Sequence, residues 1–355
     1  MISFILSTQL RRSPLSAISL LALLIACSPS YTQMNTTGPD NDPTPPPPDG
    51  VATFSVEPMT TSGTLTPLGS LNPPGHVLPT NHVYFYAVDF DHPPAIPDST
   101  VRPVYAPATG TVDYILPSGG NTDWKIAFRA TTTFYYYLDH VVLTHPIKVG
   151  DIVHAGDQVG TSGPGATIDL GAYDMSLTLT GFANPARYGR ETLHCVSPWS
   201  YFTEPLRSQH YDRMRRIASA PDKDGHIDLD VPGHLAGDWY DQSLPIDSTE
   251  GPGGWPRTVA FVTDYYDPSL IRISIGGTIA APGLWTIPPN APRPAEVTVA
   301  SGLVAYPLMY TGSTTIQSGL MLLQMVDATH LKIEVFPGSQ ATSGAFDGAA
   351  RNYVR

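Results

Sequence analysis

From about residue 80 onward, apolar and polar positions alternate with a period of two, the pattern of strands that bury one face. Residues 83–90 (Val-Tyr-Phe-Tyr-Ala-Val-Asp-Phe) read as a strand with a polar end, and residues 110–116 and 124–129 alternate in the same way. Residues 134–143 carry three consecutive tyrosines followed by Leu138, Asp139 and His140. Turn clusters separate these runs at 107–110 and 118–121. One stretch has helical spacing: across 203–220, Leu206, His210, Met214 and Ile217 fall at i, i+4, i+8 and i+11. Arg213, Arg215 and Arg216 crowd its C-terminal half, as the helix dipole favours, and Pro221 stops it. Beyond it, after the Gly-Asp-Trp-Tyr run at 237–240, strands are expected at 258–265, 271–275, 296–304 and 332–336, and 320–326, apolar apart from Gln324, is a strand or a short helix.

The pattern predicts a mostly β protein. A β domain spans 51–200, a connecting helix 201–221, and a second β-rich domain 222–355 forms a sandwich or small barrel of about 130 residues.

The N-terminus follows another logic. Arg11 and Arg12 precede an uncharged apolar run over 15–26, too short for a permanent membrane span, which needs about 20 residues. It fits the apolar region of a secretory signal. The run ends in Leu24-Ile25-Ala26-Cys27, which resembles the bacterial lipobox, and that resemblance implies lipidation of Cys27 after removal of residues 1–26. Residues 27–50 form a Pro-rich linker with almost nothing to bury. The expectation is an extracytoplasmic, lipid-anchored protein whose membrane partner is reached through the N-terminal lipid. Ser28 after the cysteine implies the outer membrane if the source is Gram-negative. Cys195 is then left to be buried as a small hydrophobe, with a Cys27–Cys195 bridge as the alternative.

Charge narrows the partners. The formal net charge of −12 loses two arginines and no acid when 1–26 is removed, giving −14. Such a surface disfavours nucleic acid. No Gly-x-Ser-x-Gly elbow and no phosphate-cradling glycine motif is present. Asp222, Asp224, Asp228 and Asp230 hint at a calcium loop but lack the spacing of the EF-hand.

Three features over residues 76–175 resemble the lysostaphin/LytM type of zinc endopeptidase. Residues 104–112 (Val-Tyr-Ala-Pro-Ala-Thr-Gly-Thr-Val) look like its "V-x-A-P-x-x-G-x-V" hairpin. Residues 147–160 are similar to its "V-x-x-G-D-x-V-x-x-G-x-x-I-G" stretch. Between them the aromatic strand from Tyr135 to His140 stands where the family has "Y-x-H-L". The resemblance implies a lysostaphin-like β-sandwich of the duplicated hybrid motif type, acting on peptidoglycan. It also implies zinc held by an "H-x-x-x-D" and by the last His of an "H-x-H". Here the ligand positions are eroded, marking a degenerate member. Asp89 stands at the acidic position, but Phe85 occupies the place of its His, and the nearest His is His82. No His follows the turn at 163–165, where Asp169 and Asp174 are the available donors.

The candidate metal ligands are therefore His82, Asp89 and Asp169, with His140 as the candidate acid/base. Tyr135, Tyr137 and Asp174 are candidates to line a binding groove. His92, His145 and His154 are further histidines that would have to converge to matter. The expected function is a cell-envelope lipoprotein whose peptidase-like module binds peptidoglycan, another glycan or a protein partner without cutting, and needs no cofactor. The alternatives are a zinc-dependent peptidoglycan endopeptidase and a structural surface lipoprotein without ligand.

Overall fold

The computed structural model describes residues 53–60, 63–91, 100–118, 120, 122–311, 313 and 315–355. The expected signal segment 1–26, Cys27, the linker 27–50 and His92 lie outside the described residues.

The protein is mostly β and builds two sheets. The first is made of β1 (His82–Tyr86), β2 (Pro103–Tyr105), β3 (Gly110–Pro117), β4 (Trp124–Arg129), β5 (Phe134–Leu143), β6 (Ile152–Val153), β7 (Gln158–Ser162) and β8 (Thr167–Asp174). Its main path runs β1-β8-β5-β4-β3-β6, and β7 bridges β5 to β2. Alternation along β5 decides its two faces. Phe134, Tyr136 and Leu138 enter the main core with Phe85, Phe128, Ile168 and Leu170. Tyr135 and Tyr137 point the other way, to Tyr173 and Tyr114. Trp199 and Phe202, both buried, cap the core side. Each large side chain buried in this way contributes roughly 1.5–3 kcal/mol.

Helix α1 (Arg190–Leu193) packs against β8, and α2 (Leu206–Arg213) packs on the same core through His210. Helix α2 is shorter than the expected 203–220. At Met214 the backbone turns extended, and Met214 pairs with Leu65. Two of the arginines that suggested a helix end bond elsewhere: the Arg215 amide donates to the distant Leu65 carbonyl, and the Arg216 guanidinium to the carbonyls of distant Tyr265 and nearby Asp222.

The second sheet is a closed antiparallel barrel of eight strands. They are β9 (Gly237–Asp241), β10 (Thr258–Thr263), β11 (Ile271–Ile275), β12 (Gly283–Thr286), β13 (Val304–Tyr310), β14 (Gln317–Met325), β15 (His330–Pro337) and β16 (Arg351–Val354). Closure leaves no exposed sheet edge. Of the two forms the sequence allowed, this region takes the barrel. Residues 296–304 do not form the expected strand: turns of 3-10 helix at Pro294–Glu296 and Val299–Ser301 occupy them, and pairing begins only at Val304. Alternate residues fill the barrel, among them Val259, Phe261, Ile273, Met321, Leu323 and Ile333. The intervening Ala260 and Val262 point outward and pack with Leu71, forming a seam with the first sheet's side of the molecule. The acids at 222–230 serve as local braces: Asp222 accepts from the Gly225 amide, Asp224 from Ser197 and Tyr211, and Asp230 from the amides of Ala183 and Asp238.

Candidate metal-binding cluster

Strand order places the chemistry. Strand β8 lies between β1 and β5, with Asp169 opposite Tyr84 on one side and Asp139 on the other, and Gly171 opposite His82 and Tyr137. Side chains on one face of these three strands therefore meet. His140 would belong to the opposite face, but β5 is bulged there. Ile126 pairs with Leu138 and Trp124 with Val141, so Asp139 and His140 together oppose the single Lys125. At that bulge β5 leaves β8 for β7. His140 takes a left-handed backbone, φ 63°, uncommon for a residue with a side chain. The result is a ring aimed at carboxylates: Nδ1 lies 2.9 Å from Asp123 Oδ2 and Nε2 lies 3.6 Å from Asp169 Oδ2.

His82 approaches the same carboxylate, with Nε2 at 3.3 Å from Asp169 Oδ2. The surrounding bonds fix its ring. Asn81 donates its amide N–H to Thr192, leaving Oδ1 to accept from the Tyr137 hydroxyl at 2.9 Å and from His82 Nδ1 at 3.1 Å. Nε2 is then the lone-pair nitrogen and accepts from the Tyr84 hydroxyl at 3.0 Å. His76 packs its ring on His82, 5.1 Å between centroids, and is itself covered by Trp255 from the segment before β10.

Burial and charge sort the protons. Desolvation pushes His82 well below the usual imidazole range, helped by His76, Lys125 and His140, so its ring is neutral. Desolvation likewise brings His76 down to about 4. Burial alone would lower His140 too, but Asp169, Asp123 and Asp139 overcome it and push it up to about 10. Burial raises the Asp169 carboxyl to about 7 against the pull of His140. At neutral pH His140 is an imidazolium among acidic side chains, next to an Asp169 carboxyl near its own midpoint and a neutral His82.

Of the residues singled out from sequence, His82, His140 and Asp169 come together. Asp89 does not join them. Strand β1 carries the chain about 13 Å from His82 to Tyr86 at ~3.3 Å per residue, and Asp89 lies beyond that end, where its carboxylate accepts from the Asp91 amide. Tyr137 is buried, its ring held between Gly171 and the Lys125 ammonium, 3.7 Å from the ring centroid. Tyr135 stacks on Tyr173 at 5.0 Å, and the Arg190 guanidinium covers both. Tyr137 is thus enclosed, while Tyr135 is half-buried between Tyr173 and Arg190. Asp174, at the end of β8, accepts from Ser176 and borders a cleft of about 540 Å³ with Phe134, Tyr201, Glu204 and Arg207. His145 and His154 are exposed.

Sequence reasoning missed Asp123, Asp139, Tyr84 and His76. Asp123 sits in a glycine-rich turn whose composition signals only a reversal, and the bulge that recruits Asp139 and His140 leaves no periodic trace. It also missed the cover over this face. Arg190 pairs with Asp113 at 2.5 Å, and Glu191 pairs with Lys125 at 2.6 Å and bonds the Tyr114 hydroxyl.

The resemblance to zinc peptidases raises the question of whether these residues suit zinc. The set His82, Asp89 and Asp169 does not. Zinc needs donors at about 2.0–2.2 Å around one point with a position left for water. Asp89 is out of reach, and the His82 lone pair is engaged by Tyr84.

No family model matches the chain, and no curated protein does. Solved structures similar to part of it include Csd3 of Helicobacter pylori, at 14% identity over 35% of this chain and 31% of that one, TM-score 0.26. A zinc-containing peptidase of Vibrio cholerae shows 15% identity over 35% of this chain and 36% of that one, TM-score 0.25. A catalytic-domain variant of the prophage-encoded M23 protein EnpA of Enterococcus faecalis shows 19% identity over 34% of this chain and 87% of that one, TM-score 0.24. The aligned part spans about a third of the length of the Helicobacter and Vibrio proteins.

Proposed function

We propose that this chain is a cell-envelope lipoprotein whose N-terminal β module is built like a peptidoglycan peptidase but binds peptidoglycan without cutting it. The observation that carries this reading is the failure of the expected ligands to surround one point: Asp89 stands beyond the end of β1 and Tyr84 holds the His82 lone pair. Arg190 and Glu191, lying over the tyrosine face, support it further, since a polymer strand would have to displace them. The cleft beside Asp174, Tyr201 and Arg207 is the open concave surface where a glycan or stem peptide would lie. Export and anchoring rest on the sequence of residues 1–27 alone.

The test uses the purified chain with cell-wall sacculi. The expected outcome is co-sedimentation without release of peptides, and no zinc by elemental analysis. Stoichiometric zinc together with chelator-sensitive peptide release would replace this reading with the zinc endopeptidase, which the approach of His82 and His140 to Asp169 favours. Anchoring is tested separately: Cys27→Ser should abolish incorporation of labelled fatty acid and release the protein from the membrane fraction.

A further inference from the structure

We propose that the cleft beside Asp174 holds the free primary ammonium of an uncrosslinked stem peptide, with Asp174 as its counter-charge and Tyr201 as its wall. The inference rests on the peptidoglycan reading above and narrows it to one chemical group.

The charges lining the cleft do not balance. Glu204 and Arg207 satisfy each other: Glu204 Oε1 accepts from Arg207 Nε at 2.9 Å and lies 2.8 Å from Nη2, and Oε2 accepts from the Ser208 hydroxyl at 2.7 Å. Asp174 has no lysine or arginine partner among the described residues. Burial would raise its carboxyl, but hydrogen bonds from Ser176 and Thr133 hold it below the usual range, so it is ionised at neutral pH. His194, whose charge reaches Asp174, has its Nδ1 turned to the Leu177 carbonyl. One negative charge is left over in a concave site, and a cation is its complement.

The carboxylate's own bonds select the kind of cation. Its Oδ1 is taken by the Ser176 amide at 2.9 Å and the Ser176 hydroxyl at 2.7 Å. It therefore cannot offer both oxygens to the fork of a guanidinium, whereas an ammonium, a compact charge, needs only one. Burial and then Asp174 push the Tyr201 phenol up, so the ring lies within reach of the same charge. Tyr201 is half-buried, packed on Phe134 at 4.5 Å between centroids. Its open surface suits the methylenes that carry an ammonium.

In a peptidoglycan the stem peptide's side-chain amine is charged while free and becomes a neutral amide once cross-linked. The cleft should therefore prefer peptides not yet joined. The chain's own linker does not offer this group, since residues 27–50 contain no lysine or arginine.

The experiment titrates the full-length protein, by isothermal calorimetry, with a synthetic stem tetrapeptide bearing a free lysine amine and with the same peptide acetylated at that amine. The free peptide should bind, and acetylation should weaken it at least about 10-fold, the scale of one hydrogen bond between charged partners. Asp174→Asn should weaken the free peptide by a similar factor and leave the acetylated one unchanged. The asparagine carbonyl still accepts from Ser176, so the turn is kept. His154→Gln, exposed and outside the cleft lining, should bind as the unaltered chain does. Near-ultraviolet circular dichroism checks folding; if the asparagine variant is not folded, the two peptides on the unaltered chain decide. Sacculi are then compared before and after acetylation of their amines. Loss of sedimentation on the acetylated sacculi supports the site, whereas equal sedimentation on both overturns it and leaves peptidoglycan binding standing. Amine-dependent peptide binding without sedimentation on either supports the site and removes the wider reading. No binding at millimolar peptide, equal affinity for the two peptides, or unchanged affinity in the folded Asp174→Asn variant would each overturn the proposal.

Discussion

Gly171 shows how a single position keeps the cluster in its present form. A Cβ at this residue would sit 2.1 Å from Cζ of Tyr137, whose ring fills the space a side chain there would need. Gly171→Ala should therefore destabilise the protein by about 1–3 kcal/mol through overpacking, measurable by urea unfolding. Pairing it with Tyr137→Ala should recover part of that loss, because the clashing ring is gone. Tyr137→Phe keeps the ring but removes the hydroxyl that donates to Asn81 at 2.9 Å. Since Asn81 also holds His82, this variant should cost about 0.5–1.5 kcal/mol and loosen the His82 ring, seen as a shift of its imidazole resonances.

The elements differ in how much depends on each. Strand β16 closes the barrel against β9 through only two paired positions, Tyr353 with Asp241 and Val354 with Tyr240. Tyr353 is fully buried in the barrel core, so Tyr353→Ala should cost about 3–5 kcal/mol and lower the denaturant midpoint accordingly. Strands were legible where alternation was strong: residues 271–275 form β11 of the barrel, and 110–116 lie within β3 of the first sheet. Residues 134–143, with their unbroken aromatic run, form β5. Legibility failed where a residue's partner is distant in sequence. The arginines after α2 look like dipole partners, but the Arg215 amide bonds the Leu65 carbonyl and the Arg216 guanidinium the Tyr265 carbonyl. In 296–304 the β-branched residues promised a strand, yet Pro294 and the Thr298–Ser301 capping bonds favour tight turns. The candidate site divides in the same way. His82, His140 and Asp169 could be picked out as donor types near familiar motifs, whereas Asp123 and Asp139 become neighbours only through the β5 bulge and sheet register.

At the scale of the whole molecule, the barrel and the first sheet's side share a buried polar junction. Asp238 of β9 accepts from the Tyr188 hydroxyl at 2.7 Å, and the Arg187 guanidinium lies 4.3 Å from the Tyr240 ring centroid. Asp238 is 2% exposed, and burial, then the neighbouring Asp230, hold its carboxyl well above the usual range. A carboxyl raised on folding leaves stability intact below its unfolded pKa, near 3.9, and loses it as pH rises through the folded value. Asp238→Asn should therefore match the unaltered protein near pH 4 and melt at a higher temperature by pH 8, which thermal scans across that range would measure. The seam of Leu71 with Ala260 and Val262 carries a consequence for anyone who would separate the two halves. The barrel's wall is finished by the other half's side chains, so each piece made alone would present a bare greasy strip to water. The halves should stay soluble when produced together and clump when produced apart: obligate companions, not beads on a string.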